Sequence, residues 1–111
     1  MKNFTQEGKT ITLTAPYAVT SGQGLQVGSI FGVASADAAI STDVETLMEG
    51  VGLLTKATAQ AWTQGQLIYW DNAARNCTTT VGTNKLIGVA TAAALTADTV
   101  GYVRLNGAFI S

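Results

Sequence analysis

Residues 66–90, QLIYWDNAARNCTTTVGTNKLIGVA, place three strand patterns and two turn patterns in immediate succession. The apolar and aromatic run at 67–70 stops at Asp71-Asn72, a pair whose side chains hydrogen-bond to their own backbone in turns. At 75–81 the odd-numbered residues, which include Cys77 and Val81, point to one side of a strand and the even-numbered polar residues to the other, and a third short apolar run follows at 86–90. The stretch predicts a three-stranded antiparallel meander at the centre of an all-β fold.

The chain on either side of this stretch also carries strand patterns. Residues 9–14 and 99–106 alternate between apolar and polar side chains, which is typical of strands with one buried face. The short segments 25–27 and 30–34 are joined by Gly28-Ser29. This arrangement predicts a tight hairpin, or alternatively a bulge within one bent strand.

The longest strand pattern lies at residues 44–54. The glycine of Glu49-Gly50 predicts a bend there, because a glycine inside a strand often marks a bulge. Alternation places Leu47, Val51 and Leu53 on one face. We predict that this face is directed to the core.

Two parts of the chain resemble each other. Residues 21–25 are similar to residues 63–67, and IFGVA at 30–34 is similar to LIGVA at 86–90. Each Gly-Val-Ala is followed by an alanine-rich loop, an aspartate, a strand and a glycine. Either the chain consists of two similar β halves, or the similarity arises by chance in a sequence rich in alanine, glycine and threonine.

The length of 111 residues suits one domain. We predict an extended N-terminal arm at residues 1–8 and a single all-β domain at residues 9–111. The alanine-rich segments lack the apolar stripe of a docked helix. The predicted fold is therefore a small β-barrel or a jelly-roll-like sandwich of short antiparallel strands, with little or no helix.

The composition is poor in charge. Charged residues make up 12% of the chain, about half of what is typical of soluble domains, so we infer that much of the surface meets other protein chains. A net charge of -1 and scattered basic residues argue against nucleic acid as a partner. Without a signal-peptide core or a run of 18 apolar residues, we expect no membrane association and synthesis in a cytosol.

Residues suited to catalysis or metal binding are scarce. The chain has no histidine, and Cys77 is its only cysteine, so we predict no catalytic residue, no metal, no cofactor and no internal disulfide. Asp71 and Asn72 carry oxygen atoms that calcium accepts, but turn formation explains them at least as well. Trp62 and Trp70 suggest a different class of function, because indole rings stack on sugars.

The run at residues 67–70 is apolar on both faces. Leu67 and Tyr69 point to one side, while Ile68 and Trp70 point to the other. A small domain usually covers one face of an antiparallel sheet, so a neighbouring chain is expected to cover the second. We predict a homo-oligomer whose candidate contact residues are Ile68, Trp70 and Trp62.

Several short motifs, taken in order, carry a family resemblance. They are TAPY at 14–17, TSG at 20–22, WTQG at 62–65, YWD at 69–71, TTT at 78–80, LIGVA at 86–90 and VRLNG at 103–107. With this order and spacing the chain resembles the bacteriophage capsid cement, or head decoration, proteins over nearly its whole length.

The resemblance implies a small all-β protein that binds the outside of an assembled phage head. Such a protein bridges neighbouring copies of the major capsid protein, stiffens the shell and performs no catalysis. The implied location is the surface of the virion capsid, after synthesis in the bacterial host cytoplasm. The implied partners are the major capsid protein and further copies of the chain, with a trimer preferred to a dimer.

The N-terminal arm has no strand pattern of its own, so we expect a partner to order it. This predicts capsid contacts by its residues, namely Lys2, Asn3, Phe4, Thr5 and Gln6. The alternative function is a carbohydrate or host-surface binding β module of a virion that uses Trp62 and Trp70.

Overall fold

The computed structural model describes residues 10–106, and within that range the chain forms nine strands and no helix. The strands are β1 (Thr10–Thr14), β2 (Gly24–Val27), β3 (Ile30–Ala34), β4 (Asp43–Leu47), β5 (Glu49–Thr55), β6 (Leu67–Asp71), β7 (Asn76–Thr78), β8 (Lys85–Ala90) and β9 (Val100–Asn106). The predicted all-β class is confirmed. The predicted arm, with its capsid-contact candidates, lies outside the described residues.

The strands form two antiparallel sheets. The first has the order β1-β4-β3-β2 and the second has the order β5-β9-β8-β6-β7. Neither closes into a complete barrel, which leaves the sandwich-like arrangement of the two predicted forms. The second sheet nevertheless curls until the chain beyond β5 reaches β7, where Lys56 pairs with Cys77 and the amide of Ala57 donates to the carbonyl of Cys77 at 2.8 Å.

The two sheets repeat one arrangement. Strands β1, β4, β3 and β2 occupy the same order as β5, β9, β8 and β6, and β7 is an addition at the edge of the second sheet. Equivalent hydrogen bonds recur, from Gly22 N to Ala34 O (2.8 Å) and Gly65 N to Ala90 O (2.7 Å), and from Thr20 N to Gln23 Oε1 (3.0 Å) and Thr63 N to Gln66 Oε1 (3.1 Å). The chain therefore consists of two similar halves, β1–β4 and β5–β9, although these bonds align Gly22 with Gly65, one residue away from the predicted match of 21–25 with 63–67.

Several local predictions are confirmed. The β2–β3 hairpin turns through two residues, because Val27 pairs with Ile30 and Gly28 adopts a positive φ of 58°. In β9 the alternation at residues 99–106 predicts one buried face, and Val103 and Leu105 form it, being 0% and 3% exposed. These features depend on turn chemistry and on alternation within one strand, which a sequence records directly.

The predicted meander at residues 66–90 is wrong in its strand order. β8 pairs with β6 rather than with β7, so β6 lies between its two successors. β7 has only three residues, and it occupies the outer edge of the sheet. This order leaves the apolar strand β8 free to pair with β9 as well, which buries Ile87 and Ala90.

The prediction of one long strand at residues 44–54 is also wrong. β4 and β5 belong to different sheets and are separated by Met48 alone. The three side chains assigned to the core are exposed, at 39% for Leu47, 55% for Val51 and 51% for Leu53. The inward positions of β5 are Gly52 and the buried Leu54, and the missing side chain of Gly52 weakens the inward face in a hydropathy pattern.

Two buried clusters form the core. The first consists of Ala15, Tyr17, Val19, Leu25, Ala34 and Val44. The second consists of Phe31, Leu54, Trp62, Ile68, Trp70, Cys77, Ile87, Ala90, Ala94, Val103 and Leu105. Phe31 comes from the first half and packs on Trp70 with ring centroids 4.9 Å apart, so the first half seals the core of the second.

Candidate functional site

The outer face of the second sheet is unusually apolar. Large hydrophobic side chains stand exposed on β5, β6 and β9, namely Val51 (55%), Leu53 (51%), Leu67 (50%), Val100 (44%) and Tyr102 (51%). We call these five residues the apolar outer face. Scattered exposed hydrophobic residues are normal on proteins, but a contiguous group marks an interaction site.

Strand register makes this group contiguous. Leu53 lies directly opposite Tyr102, and Val51 lies opposite Arg104. Arg104 in turn lies opposite Val89 on β8, which lies opposite Leu67 on β6. Residues opposite one another in antiparallel strands point to the same side of the sheet, so one row crosses four strands of the outer face.

The first half provides an internal comparison for this face. The carbonyl of Glu45 accepts a hydrogen bond from Ser35 N (3.0 Å), as the carbonyl of Tyr102 does from Thr91 N (3.1 Å), which makes Glu45 and Tyr102 equivalent. By the same register, the first-half positions that match Val51, Leu53, Val100 and Tyr102 are Thr10, Thr12, Asp43 and Glu45. All four are polar and exposed.

The edge of the second sheet lies beside the apolar outer face. Lys56 N donates a hydrogen bond to Thr99 O at 2.8 Å. From this pair, hydrogen-bonded and non-hydrogen-bonded residue pairs alternate along β5 and β9. Val51 and Leu53 belong to non-hydrogen-bonded pairs, so their N–H and C=O groups point away from β9 and toward the unpaired side of β5. An edge strand without proline or lysine is open to pairing with another chain.

A groove of about 440 Å³ continues this surface. It is lined by Leu53 and Tyr102, by Val100 at the start of β9 and by the segment before β9, including Ala97. A groove of this kind can accept a protruding side chain of a partner, and the flat part of the sheet can bury apolar surface against that partner. The face, the edge and the groove together form the candidate site.

The structure corrects the predicted subunit-contact residues. Ile68, Trp70 and Trp62 are 0%, 2% and 1% exposed, because they fill the second core. These side chains have almost no surface left for another chain. Strand β6 is apolar on both faces, and its outer side carries the exposed Leu67 and the half-buried Tyr69.

The buried tryptophans also bear on sugar binding. Trp62 packs against β9, where a Cβ added to Gly101 would lie 2.8 Å from Trp62 Cε3. The ammonium of Lys56 lies 5.8 Å from the centre of the Trp62 ring and donates to the carbonyl of Ala57 at 3.0 Å. Neither Trp62 nor Trp70 presents a free ring face on which a sugar could stack.

Polar groups with potential chemistry are occupied or buried. Asp71 Oδ1 accepts hydrogen bonds from the amides of Ala73 (3.0 Å) and Ala74 (3.1 Å), which is the predicted turn. Burial raises the pKa of the Cys77 thiol to about 12, so it stays protonated at neutral pH. Among residues 10–106, acidic and sulfur ligands do not gather into a group of three that fits a metal ion.

The described part of the chain also contains no helix that is long and apolar enough to cross a membrane. The apolar sheet face, the free strand edge and the groove are features typical of surfaces that contact other proteins. The family comparison agrees with this interpretation. The family model described as phage cement protein matches residues 5–105 of the 111.

The chain therefore belongs to the phage cement protein family, which is a family of structural proteins rather than of known enzymes. Membership gives it a cement role and associates it with the phage capsid. No curated protein and no solved structure matches the chain significantly. The resemblance carried by the short motifs is confirmed.

Proposed function

We propose that this protein binds the outside of an assembled phage head and stabilises the shell by bridging neighbouring copies of the major capsid protein. The observation that carries the proposal is the family match over residues 5–105. The protein acts after synthesis in the bacterial host cytoplasm, and its working location is the exterior of the virion capsid.

Stabilisation of a shell requires contacts with more than one capsid subunit. A homo-oligomer, with a trimer preferred to a dimer, presents several binding surfaces at once. Linked surfaces bind far more tightly than single ones, since each later contact forms at a high effective concentration. Modest interfaces on each copy are then sufficient to oppose expansion of the shell.

The physical character of the described surface suits apolar contact. Five large hydrophobic side chains are exposed on the second sheet, and the net charge of the chain is only -1. Salt screens charge attraction but leaves apolar association intact. We expect association through this surface to persist at high ionic strength.

The arm at residues 1–8 is the proposed capsid contact, through Lys2 to Gln6. Its sequence lacks a strand pattern that would tie it to the domain at residues 9–111. Contact with the capsid would then order this segment, in the manner of segments that fold on binding.

Co-sedimentation with purified, expanded capsids in a density gradient tests the proposal. The full chain should sediment with capsids and raise the temperature at which they release DNA. A chain lacking residues 1–8 should remain free, while a matched control with Ile40→Ser, an exposed loop position, should bind like the full chain. Absence of binding by the full chain, with retention on a glycan array, would instead favour a host-surface binding module.

A further inference from the structure

Equivalent surface positions carry polar residues in the first half of this chain and apolar residues in the second. On the outer face of the first sheet, Thr12 lies opposite Glu45, and both are exposed. The matching pair on the second sheet is Leu53 and Tyr102, which are also exposed. A solvated face of an antiparallel sheet carries polar residues, as the first sheet does. The same fold thus tolerates polar residues here, and the second half carries apolar ones.

Part of the equivalent face of the first sheet is covered within the chain itself. Gly24 pairs with Val33 as Leu67 pairs with Val89, so Gly24 is the first-half equivalent of Leu67. A Cβ added at Gly24 would lie 3.0 Å from Trp70 Cη2. Val33, on the same face, packs against the second core, and its Cγ2 lies 3.7 Å from a Cβ placed at Gly52. The second half therefore covers this part of the first sheet. The occupant is a unit of the same fold.

Charges on the outer face of the second sheet are compatible with self-association. Arg104 lies opposite Val51 within the apolar row, and Glu49 lies two residues before Val51 in β5, on the same face by alternation. A face that carries one cation and one anion beside an apolar centre is complementary to itself after rotation. A second copy then supplies both apolar cover and opposite charge.

We infer that the apolar outer face of the second sheet is covered by a second copy of this chain. The inference deepens the proposed function and rests on it in one respect, because multivalent capsid binding requires joined copies. It assigns the joining surface to Val51, Leu53, Leu67, Val100 and Tyr102, and leaves the capsid contacts to other parts of the chain.

A half-to-half exchange provides the test. The variant Val51→Thr, Leu53→Thr, Val100→Asp, Tyr102→Glu places on the second sheet the residues found at equivalent positions of the first. The matched control is Thr12→Ser, on the outer face of the first sheet. Light scattering after size exclusion, at micromolar concentration, should give an oligomer for wild type and control and a monomer for the exchange variant.

A wild-type monomer, or an exchange variant that keeps the wild-type mass, would overturn the inference. Circular dichroism and a cooperative thermal transition establish that the variant is folded. If the fourfold exchange fails to fold, the single changes Leu53→Thr and Tyr102→Glu replace it, each expected to raise the dissociation constant of the oligomer at least about tenfold.

Capsid sedimentation of the same variants separates this inference from the proposed function. A monomeric variant that still binds capsids, but about 100-fold more weakly, supports both, because avidity is lost while the single contact remains. A wild-type oligomer that ignores capsids overturns the cement function alone. A wild-type monomer whose capsid binding is abolished by the exchange assigns the face to the capsid and overturns the inference.

Discussion

Phe31 and Trp70 pack with ring centroids 4.9 Å apart and ring planes inclined by 52°. Phe31 belongs to the first half of the chain and Trp70 to the second, so the contact joins two units that otherwise repeat one fold. Aromatic pairs with this tilted geometry stabilise a core beyond the area they bury. The two halves should therefore unfold together.

Truncation of this aromatic pair tests the coupling. We expect Phe31→Ala to lower the free energy of unfolding by about 3–5 kcal/mol, since a buried ring is replaced by a cavity. Urea unfolding followed by tryptophan fluorescence should keep one transition, shifted to lower urea. The control Ile40→Ala alters a side chain that is 61% exposed and should change stability by less than about 0.5 kcal/mol. Two separate transitions in the wild type would contradict the coupling.

The Trp62 ring packs into the space that a side chain at Gly101 would fill. A Cβ at Gly101 would lie 2.8 Å from Trp62 Cε3, so Gly101→Ala should destabilise the protein by about 1–3 kcal/mol through overpacking. Gly52→Ala is the control, because its nearest atoms lie 3.7 Å away and alanine suits a strand slightly better than glycine. Chemical denaturation should separate the two variants clearly.

The equivalent first-half positions suggest a rescue. There, Val19 and Val44 stand where the second half has Trp62 and Gly101, and both lie in the first core. The double variant Trp62→Val, Gly101→Val should therefore be more stable than the sum of the single losses predicts. Strict additivity would show that the ring and the glycine do not share this space.

Asn72 connects the halves through two donors. Its Oδ1 accepts hydrogen bonds from Tyr17 Oη at 3.0 Å and from Trp70 Nε1 at 3.1 Å. Asn72→Ala removes the acceptor for both and should cost about 1–2 kcal/mol. In a Tyr17→Phe background the loss should shrink, since only one donor then lacks a partner. An equal loss in both backgrounds, measured by a double-mutant cycle, would exclude the shared acceptor.

Burial of Cys77 makes stability depend on alkaline pH. The pKa of its thiol rises from 9.0 to about 12 in the folded protein, because burial disfavours the thiolate. Below about pH 9 the thiol is protonated in both states and stability is unaffected. As pH rises from about 9 toward 12, only the unfolded chain ionises, so stability falls.

Comparison with Cys77→Ala isolates this effect, since other titrating groups are common to both proteins. The difference in unfolding free energy between wild type and variant should shrink as pH rises above about 9. The thiol should also resist a thiol-specific reagent until urea unfolds the chain. Rapid modification of the folded protein would contradict the buried position.

Much of the local structure was predictable from the sequence. Strands β1 and β9, the two-residue turn at Gly28-Ser29 and the similarity of the two halves all follow from patterns within short segments. Alternation and turn chemistry are local properties, so they do not depend on what lies across the sheet. The motif order also led to the family that the match over residues 5–105 establishes.

Tertiary structure alone decided which strands pair and which faces are inside. Alternation has a period of two residues and describes both faces of a strand alike, so it cannot say which one a neighbour covers. In β5, Val51 and Leu53 gave the more continuous apolar alternation, because Gly52 stands beside Leu54 on the inward face, yet Val51 and Leu53 face outward. Trp62 and Trp70 are buried for reasons that only the tertiary structure shows, because Trp62 packs on Gly101 within the second half and Trp70 packs on Phe31 of the first half.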